Sequence, residues 1–259
     1  MLGAIIGDLA GSIYEYSQVK KVSSIKINNL IEENAFFSDD TILTIAIADA
    51  IINSKDYSQK LKEYAFKYNN SVPKNIPYFD TMFSPNFVKW SIGEIEGNSS
   101  GNGAMMRISP VGYLFDKEED VIKQSYLATI PSHNSTDAIR SSKIIALIIF
   151  YARNGLSKQE IIEKLNLKIQ KPIVKKFNYA CSDTIDLCLY SLFTSNSFEE
   201  SIKLAISFGG DTDTNACIVG SMAEAMYGIS EELQQKALSK LPTEFVCILN
   251  TAYDRMLKK

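Results

Sequence analysis

The sequence predicts an all-α protein with one domain spanning residues 1–259. Three observations favour this fold class. Most segments place apolar residues at helical spacing, and few alternate strictly between apolar and polar residues. Some segments open with the Ser-x-x-Glu pattern that caps helices. No Ser/Gly-rich linker, block of like charges or internal repeat divides the chain.

The first part of the chain predicts three helices. The opening segment, "MLGAIIGDLAGSIYEY", is apolar, but it lacks the basic start of a signal peptide and carries Asp8 inside its apolar run. Residues 36–52, "FFSDDTILTIAIADAII", are apolar on nearly every face after an acidic start, which is typical of a buried helix. Residues 55–70 fit an amphipathic or buried helix.

Residues 71–110 predict a loop-rich region. Four prolines interrupt this stretch, and "EGNSSGNGAMMR" adds glycines and serines. A long ordered loop is uncommon in a compact helical domain unless it has a function. The region is therefore a candidate functional segment.

The rest of the chain returns to helices with identifiable ends. Capping boxes at 157–160 and 197–200 open two of them, and Gly155 and Gly228 stand where C-terminal caps belong. An apolar segment of small residues follows the acidic stretch that begins at 208, and it predicts a buried helix. The other predicted helices span residues 117–130, 137–155, 181–193, 231–241 and 243–257.

Composition argues against several classes of protein. Hydrophobic residues make up 46% of the chain and charged residues 22%, which is typical of a globular protein. The net charge of −3 provides no bulk attraction to nucleic acid or anionic lipid, so neither is a predicted partner. The most apolar internal run, "KIIALIIFYARNG", is too short to span a bilayer, and we predict a cytoplasmic protein.

No cysteine belongs to a CxxC pair, so buried free thiols are predicted at Cys181, Cys188, Cys217 and Cys247.

Two acidic clusters each precede a buried apolar helix. In "FGGDTDTNACIVG", Asp211 and Asp213 are followed by Thr214, and residues 38–41 repeat this design in "FFSDDTIL". One interpretation is capping, because Ser, Thr and Asp at a helix start satisfy free amides and face the positive end of the helix dipole. The other is a divalent metal site, because crowded carboxylates repel one another unless a cation neutralises them. An all-oxygen set suits Mg²⁺, Mn²⁺ or Ca²⁺, and the pattern alone leaves both interpretations open.

Five segments occur in order between residues 3 and 228: "GAIIGDLAGSIYE", "FSDDT", "GNGAMMRISPVG", "SHNSTDAI" and "FGGDTDTNACIVGSMAEAMYG". Together they resemble the ADP-ribosylglycohydrolase family, which includes the dinitrogenase-reductase-activating glycohydrolases. The resemblance implies a compact orthogonal helical bundle with a binuclear metal cleft that holds two Mg²⁺ or Mn²⁺ ions. The ligands that it implies are Ser38, Asp39, Asp40, Asp211, Asp213 and Thr214.

The resemblance also implies roles for an acidic pair near the N-terminus. Asp8 and Glu15 are seven residues apart, so they would share one face of a helix. On spacing alone, Asp8 fits a satisfied buried acid and Glu15 fits a solvated side chain. Glu15 matches the acid that ends the family's "GDxxGxxxE" motif, which implies gating or catalysis. Asp8 is expected to support the ligands or the structure.

The loop "EGNSSGNGAMMR" resembles the family's ligand-cradling loop, where glycines let free backbone amides approach a diphosphate. A plain flexible turn is the alternative. His133, the only histidine, lies in a segment that resembles the one near the distal ribose and diphosphate, with a structural role as the alternative. Trp90, with Tyr78, Phe79 and Phe83, predicts either aromatic core or a wall for adenine. The candidate substrate-binding residues are Ser99, Ser100, Gly101, Asn102, Gly103 and His133.

The implied reaction is hydrolysis of the N- or O-glycosidic bond at the anomeric carbon of an ADP-ribose adduct on a protein or a small conjugate. Glu15, Asp39 or Asp40 would stabilise the positive charge that develops on the sugar, or activate water. Arginine-linked ADP-ribose is the favoured substrate, with serine-linked ADP-ribose and O-acetyl-ADP-ribose as alternatives. The rival functions are a non-catalytic ADP-ribose-binding protein and a different two-metal hydrolase, such as a phosphohydrolase. We expect a monomer.

Overall fold

Helices make up nearly all of the regular structure in the computed structural model, which describes residues 1–18, 25–73 and 80–258. The first helices are α1 (Leu2–Gln18), α2 (Asp39–Ile52), α3 (Tyr57–Tyr68), α4 (Pro85–Ser91), α5 (Gly103–Met106), α6 (Ser109–Leu114) and α7 (Glu118–Thr129). The later ones are α8 (Thr136–Arg153), α9 (Lys158–Leu165), α10 (Cys181–Thr194), α11 (Phe198–Ser207), α12 (Thr212–Tyr227), α13 (Glu231–Leu238) and α14 (Thr243–Leu257). None of the helices in these ranges combines the length and hydrophobicity needed to cross a bilayer. The all-α prediction is confirmed.

The loop-rich prediction for residues 71–110 holds for much of the described part of that stretch, residues 71–73 and 80–110, but short helices interrupt it. Pro85 and Pro110 occupy the first turns of α4 and α6, where the missing proline N–H removes no helical hydrogen bond. Ser84 caps α4 by accepting the N–H of Phe87 at 3.4 Å. These prolines therefore begin helices and do not separate them.

One predicted helix cap differs from the observed one. Ser157 and Glu160 form the expected reciprocal box at the start of α9. At α11, Ser197 Oγ accepts the N–H of Glu200 at 3.1 Å, but the Glu200 carboxylate accepts the N–H of Asn196 at 2.6 Å. The capping box predicted at Ser197 is therefore wrong in its second half, because the Glu200 carboxylate accepts from Asn196 and not from the backbone of Ser197.

The centre of the fold is a contact between α1 and α12 in which backbone meets backbone. Glycines recur at every fourth residue along one face of α1. A Cβ atom added at Gly7 would lie 2.0 Å from a carbonyl oxygen of α12, so only glycine fits there. The order of the facing residues makes the two helices antiparallel: Gly3 faces Gly220, Gly7 faces Ala216 and Gly11 faces Thr212. The start of α12 therefore lies beside the C-terminal half of α1.

Helix α2 supplies a second wall beside this central pair. Its residues 40–51 are all buried, as its apolar sequence predicted. It packs against α1, α3, α6 and α14, and it also contacts α12. Since α2 is enclosed along most of its length, the polar residues at its N-terminus are held at a fixed position relative to α1 and α12.

Aromatic residues near α4 belong to the core, which is one of the two roles that the sequence predicted for them. Trp90 and Phe83 are buried, and the ring of Phe87 contacts both, at centroid distances of 5.2 and 5.4 Å. The other members of the predicted aromatic group, Tyr78 and Phe79, lie outside the described residues. The core interpretation is therefore confirmed for Trp90 and Phe83.

All four cysteines are free, as predicted, but one of them is not buried. Cys247 on α14 is exposed, whereas the other three are enclosed. Helix α14 is amphipathic, and it turns Phe245, Leu249 and Ala252 inward. Cys247 lies on the opposite face, so the prediction of burial is wrong for this residue.

Candidate metal centre and ligand loop

The two acidic motifs meet in space. Thr214 Oγ1 at the start of α12 donates a hydrogen bond to Asp40 Oδ2 at the start of α2, over 3.1 Å. Carboxylate oxygens of Asp8, Asp40 and Asp213 all lie within 4.8 Å of one another, and so do those of Glu15, Asp211 and Asp213. We call these sets the inner and outer carboxylate groups. Asp213 belongs to both, so the two groups form one continuous cluster.

The structure separates capping from ligand roles in the two motifs. Ser38 caps α2, because its Oγ accepts the N–H of Asp40 at 3.2 Å. Asp211 occupies the N-cap position of α12 but makes no capping hydrogen bond. Its Oδ2 instead accepts the side-chain N–H of Asn102 at 2.7 Å. Capping therefore accounts for one contact of Ser38, and Asp213 Oδ1 accepts the N–H of Thr214 in the first turn of α12 at 2.8 Å, whereas Asp211 has no capping role.

Asp8 holds the start of α2 in place. Its Oδ1 accepts the hydroxyl of Ser38 at 2.8 Å, and its Oδ2 accepts the backbone N–H groups of Ser38 and Thr41 at 2.9 and 3.1 Å. The hydroxyl of Thr41 also donates to Oδ2. The expectation that Asp8 supports the ligands fits these contacts, although its carboxylate also belongs to the inner group.

Electrostatics within the cluster are strongly unfavourable without a cation. Burial, followed by the charge of Asp213, raises the pKa of Asp8 to about 7 and that of Asp39 to about 8. The same two causes, in that order, raise the pKa values of Glu15 and Asp40 well above their usual range. Burial is also the main cause of the raised pKa of Asp213. Crowded carboxyls in this state bind either protons or a cation.

One buried oxygen supports the cation alternative. Asp40 Oδ1 is buried and has no hydrogen-bond partner among the described residues, whereas its Oδ2 accepts from Thr214. An unpartnered buried carboxylate oxygen is costly unless something binds it. The atoms that the two carboxylate groups offer to a metal are all oxygens, which suits a hard divalent cation. The residues present therefore fit a metal centre.

Glu15 and Asp39 differ from the other acids in their exposure. Asp8, Asp40 and Asp213 are buried, whereas Glu15 and Asp39 are half-buried. Asp39 belongs to neither carboxylate group, although the charge of Asp213 raises its pKa. The view of Glu15 as a simply solvated side chain is wrong, because its carboxylate lies in the outer group. These two acids form the accessible edge of the cluster.

The backbone of the predicted ligand loop is held on both sides. Ser99 N–H donates to the carbonyl of Ser132 at 3.2 Å, and Asn102 N–H donates to that of Tyr179 at 2.8 Å. Gly101 N–H donates to Ser99 Oγ at 3.0 Å. The expectation of free amides is therefore wrong for these three positions. The N–H groups of Ser100 and Gly103 make no hydrogen bond within the described residues.

Asn102 faces the carboxylates and not the surface. It is 7% exposed, and its amide donates to Asp211. A second amide completes the support, because Asn178 Oδ1 accepts the N–H of Asp211 at 3.2 Å and its Nδ2 donates to Asn215 Oδ1 at 2.7 Å. A Cβ atom at Gly210 would lie 2.3 Å from Asn178 Oδ1, so this glycine leaves room for the contact. Asn102 thus connects the ligand loop to the acidic cluster.

His133 lies beside the loop, with partners that the sequence analysis missed. Its Nδ1 is 2.7 Å from Ser132 Oγ, and that oxygen accepts a hydrogen bond from Arg107 Nη2 at 2.6 Å. Arg107 is fully buried, and its charge slightly opposes the raised pKa of Asp39. A single charged residue inside the apolar run "GAMMRISPVG" is the signal that indicates a buried, bound guanidinium. Asn178 and Asn215 gave no comparable signal.

Comparison with known proteins identifies the family of this fold and site. The sequence model described as ADP-ribosylglycohydrolase matches residues 1–258. The chain belongs to the ADP-ribosylglycohydrolase family. The recognition made from the five motifs is confirmed, and with it the assignment to a class of enzymes.

Curated relatives of this ADP-ribosylglycohydrolase align over most of its length. ADP-ribosylarginine hydrolase Tri1 of Pseudomonas putida (strain GB-1) is 23% identical over 266 residues, covering 89% of this chain and 70% of the relative. ADP-ribosylhydrolase ARH3 of Mus musculus is 19% identical over 308 residues, covering 89% and 83%. A solved structure described as an ADP-ribosylglycohydrolase-related protein complex superposes with a TM-score of 0.71 at 16% identity, covering 98% of this chain and 97% of that one. This likeness supports the all-α fold.

Proposed function

We propose that this ADP-ribosylglycohydrolase uses divalent cations to cleave the bond between ADP-ribose and a modified arginine side chain. The observation that carries the proposal is the convergence of the two acidic motifs on Asp213, which both carboxylate groups share. Asp213 would therefore contribute to any cation that either group holds. The proposed ligands of two Mg²⁺ or Mn²⁺ ions are Ser38, Asp39, Asp40, Asp211, Asp213 and Thr214. When bound, such ions polarise substrate oxygens and lower the pKa of water.

The accessible edge of the cluster supplies the candidate catalytic carboxylates. Cleavage of a glycosidic bond develops positive charge on the sugar, and a nearby carboxylate stabilises that charge or activates water. Glu15 and Asp39 are half-buried, which makes them more accessible to a substrate than the buried acids of the site. Asp40 is the third candidate, but it is buried and engaged by Thr214, which favours a ligand role.

The ligand loop and His133 are the proposed ADP-ribose site. Ser99 and Ser100 are exposed, and Gly101 and Gly103 leave open backbone beside the His133 ring. The N–H groups of Ser100 and Gly103 are available to oxygens of the ligand. Asn102 contributes by holding Asp211, because its side chain is turned away from the loop surface and its backbone N–H is bonded to the carbonyl of Tyr179.

Two considerations favour the arginine linkage. The relative from Pseudomonas putida is named for ADP-ribosylarginine. In addition, a bound cation would keep Glu15, which is not among the proposed ligands, ionised, and an ionised carboxylate at the edge of the site favours a positively charged guanidinium over a neutral serine or acetyl group. Serine-linked ADP-ribose and O-acetyl-ADP-ribose are the alternative substrates, and the relative from Mus musculus is named an ADP-ribosylhydrolase.

The test is incubation of cation-stripped protein with arginine-, serine- and acetyl-linked ADP-ribose, with and without Mg²⁺ or Mn²⁺, followed by mass spectrometry. We expect intact ADP-ribose to be released, fastest from arginine, and only with a cation. Asp211→Ala should abolish release while the circular dichroism spectrum is retained. Asp49→Ala is the matched control, because Asp49 is an enclosed acid that pairs with Lys60 at 3.0 Å and belongs to neither carboxylate group.

Three other outcomes would contradict parts of this proposal. Full turnover by Asp211→Ala in the presence of Mg²⁺ would exclude the proposed metal role. Release of phosphate would indicate a phosphohydrolase. Tight binding of ADP-ribose without any release from the three adducts would indicate a binding protein of the same fold.

A further inference from the structure

The only histidine of the chain has two ring nitrogens in different surroundings. Nδ1 lies 2.7 Å from Ser132 Oγ. Nε2 makes no hydrogen bond within the described residues, and it faces the two glycines of the ligand loop. A Cβ atom at Gly103 would be 3.3 Å from Nε2, and one at Gly101 would be 3.7 Å from it. The free nitrogen therefore lies against the open backbone of the loop.

The direction of the hydrogen bond at Nδ1 follows from Arg107. A guanidinium group can only donate, so Ser132 Oγ must accept from Arg107 Nη2 across their 2.6 Å contact. Ser132 Oγ has a second lone pair, but His133 Nδ1 is the only acceptor that its own proton has among the described residues. The arrangement that satisfies the hydroxyl proton therefore has Ser132 donating and Nδ1 accepting. Burial and the charge of Arg107 lower the pKa of His133 well below its usual range, which keeps the ring neutral. A neutral ring that accepts at Nδ1 carries its proton on Nε2.

The surrounding backbone holds this arrangement in place. His133 forms an isolated bridge with Asn98, and Ser132 accepts the N–H of Ser99. Arg107 is fully buried, lies over the ring of Phe87 at 6.0 Å, and contacts the carbonyl of Ala128 at 3.4 Å. The ring and the loop are therefore held in one spatial relation.

We propose that Arg107 and Ser132 are positioning residues that fix His133 as the Nε2–H tautomer, so that it donates a hydrogen bond to an oxygen of ADP-ribose bound over the loop. This inference rests on the proposed ADP-ribose site. The oxygen belongs to the diphosphate or to a ribose hydroxyl, both of which accept hydrogen bonds. The same tautomer prevents His133 from serving as a general base toward the ligand, because the nitrogen that faces the loop already carries a proton.

Nuclear magnetic resonance of the unmodified protein tests the tautomer directly. In ¹⁵N-labelled protein a long-range ¹H–¹⁵N correlation of imidazole shows one pattern, because the chain has one histidine. At neutral pH we expect Nε2 to be protonated and Nδ1 to be unprotonated. A protonated Nδ1 would overturn the proposal. This measurement needs no turnover, so its failure is distinct from failure of the proposed hydrolase activity.

Titration with ADP-ribose in the same experiment tests the contact. We expect the Nε2 resonance to shift while the proton stays on this nitrogen. An unchanged Nε2 resonance under saturating ADP-ribose would exclude the donor role. If the Nε2 resonance shifts but the unmodified protein does not hydrolyse ADP-ribose adducts, this inference stands and the proposed reaction is contradicted.

Substitution of Ser132, the middle member of the hydrogen-bonded relay Arg107–Ser132–His133, gives the second test. Ser132→Ala should let the ring populate both tautomers and weaken ADP-ribose binding by about 10-fold, as expected for one lost hydrogen bond, with little change in kcat. Ser132→Thr restores the hydroxyl and should restore both properties. Ser125→Ala is the matched control, since Ser125 is a buried serine of α7 whose hydroxyl donates to the carbonyl of Ile122. If Ser132→Ala fails to fold, the tautomer of the unmodified protein decides; if it folds with tautomer and affinity unchanged, the relay is refuted.

Discussion

Removal of divalent cations should make the thermal stability of this protein depend on pH through the acidic cluster. Burial and the charge of Asp213 raise the pKa of Asp8 to about 7 and of Asp39 to about 8 in the folded, cation-free protein, against 3.8 for an ordinary aspartate. Between about pH 5 and about pH 7 these groups are protonated when folded and ionised when unfolded. Stability of the cation-free protein therefore falls as pH rises through this window. A bound cation keeps the carboxylates ionised and abolishes that loss.

The size of the effect follows from the number of protons that the cation displaces. Each displaced proton adds about 1.4 kcal/mol per pH unit to the stabilisation by the cation. One proton displaced from about pH 5 to about pH 7 adds roughly 3 kcal/mol, and two protons add roughly twice as much. For a domain of this size, roughly 3 kcal/mol corresponds to a gain in Tm of about 6–12 °C.

The assay is differential scanning fluorimetry of chelator-treated protein, with and without Mg²⁺, across that pH range. The measured quantity is the Tm with Mg²⁺ minus the Tm without it. The contributions of remote groups such as His133 to the pH dependence of Tm are the same in both measurements and cancel in this difference. Asp213→Asn should remove the Mg²⁺ shift at every pH, whereas Asp49→Asn, on the same helix as Asp40 but paired with Lys60, should keep it. A shift that stays constant or shrinks as pH rises would refute the assignment of the cluster as a cation site.

Three further predictions concern individual contacts. Asn102→Ala removes the donor to Asp211 Oδ2 and should weaken Mn²⁺ binding, measured by electron paramagnetic resonance, by about 10-fold; an unchanged affinity would show that this amide does not support the site. Gly7→Ala places a Cβ atom 2.0 Å from the carbonyl oxygen of Ala216 and should lower the free energy of unfolding by roughly 3 kcal/mol or more in urea titrations, unless α1 and α12 separate more easily than their contact indicates. Glu15→Gln should reduce kcat by about 100-fold or more while ADP-ribose affinity measured by calorimetry is retained, and an unchanged kcat would remove Glu15 from the candidate catalytic residues.

Local patterns along the chain predicted much of the fold and the acidic part of the site. The apolar stretches behind Asp40 and Asp213 gave α2 and α12 because their composition requires burial on every face. The spacing of Asp8 and Glu15 placed both on one side of α1, and both now lie in the carboxylate cluster. These features depend on residues that are close together in the sequence, so periodicity and residue type are enough to predict them.

The supporting contacts could not be predicted in the same way. Asn178 comes from an irregular stretch between α9 and α10, and its role depends on the fold bringing it against Asp211. Ser132 gains its role only because Arg107 approaches it from another helix junction. Asn102 was grouped with the loop surface, since sequence alone does not tell which way a side chain turns. Each of these contacts joins segments that are distant in the chain.

The glycine face of α1 has a consequence for the size of cation that the proposed metal centre would hold. The two central helices cannot come closer, because backbone already meets backbone, and moving them apart would open a void along their whole length. The backbone positions that carry Asp8 and Asp213 are therefore fixed relative to each other. Mg²⁺ and Ca²⁺ require oxygen distances that differ by a few tenths of an ångström, so a fixed pair of helices would limit the range of ion sizes that the proposed centre accommodates. The glycine face of one helix would thus restrict the radius of the cation at the proposed centre.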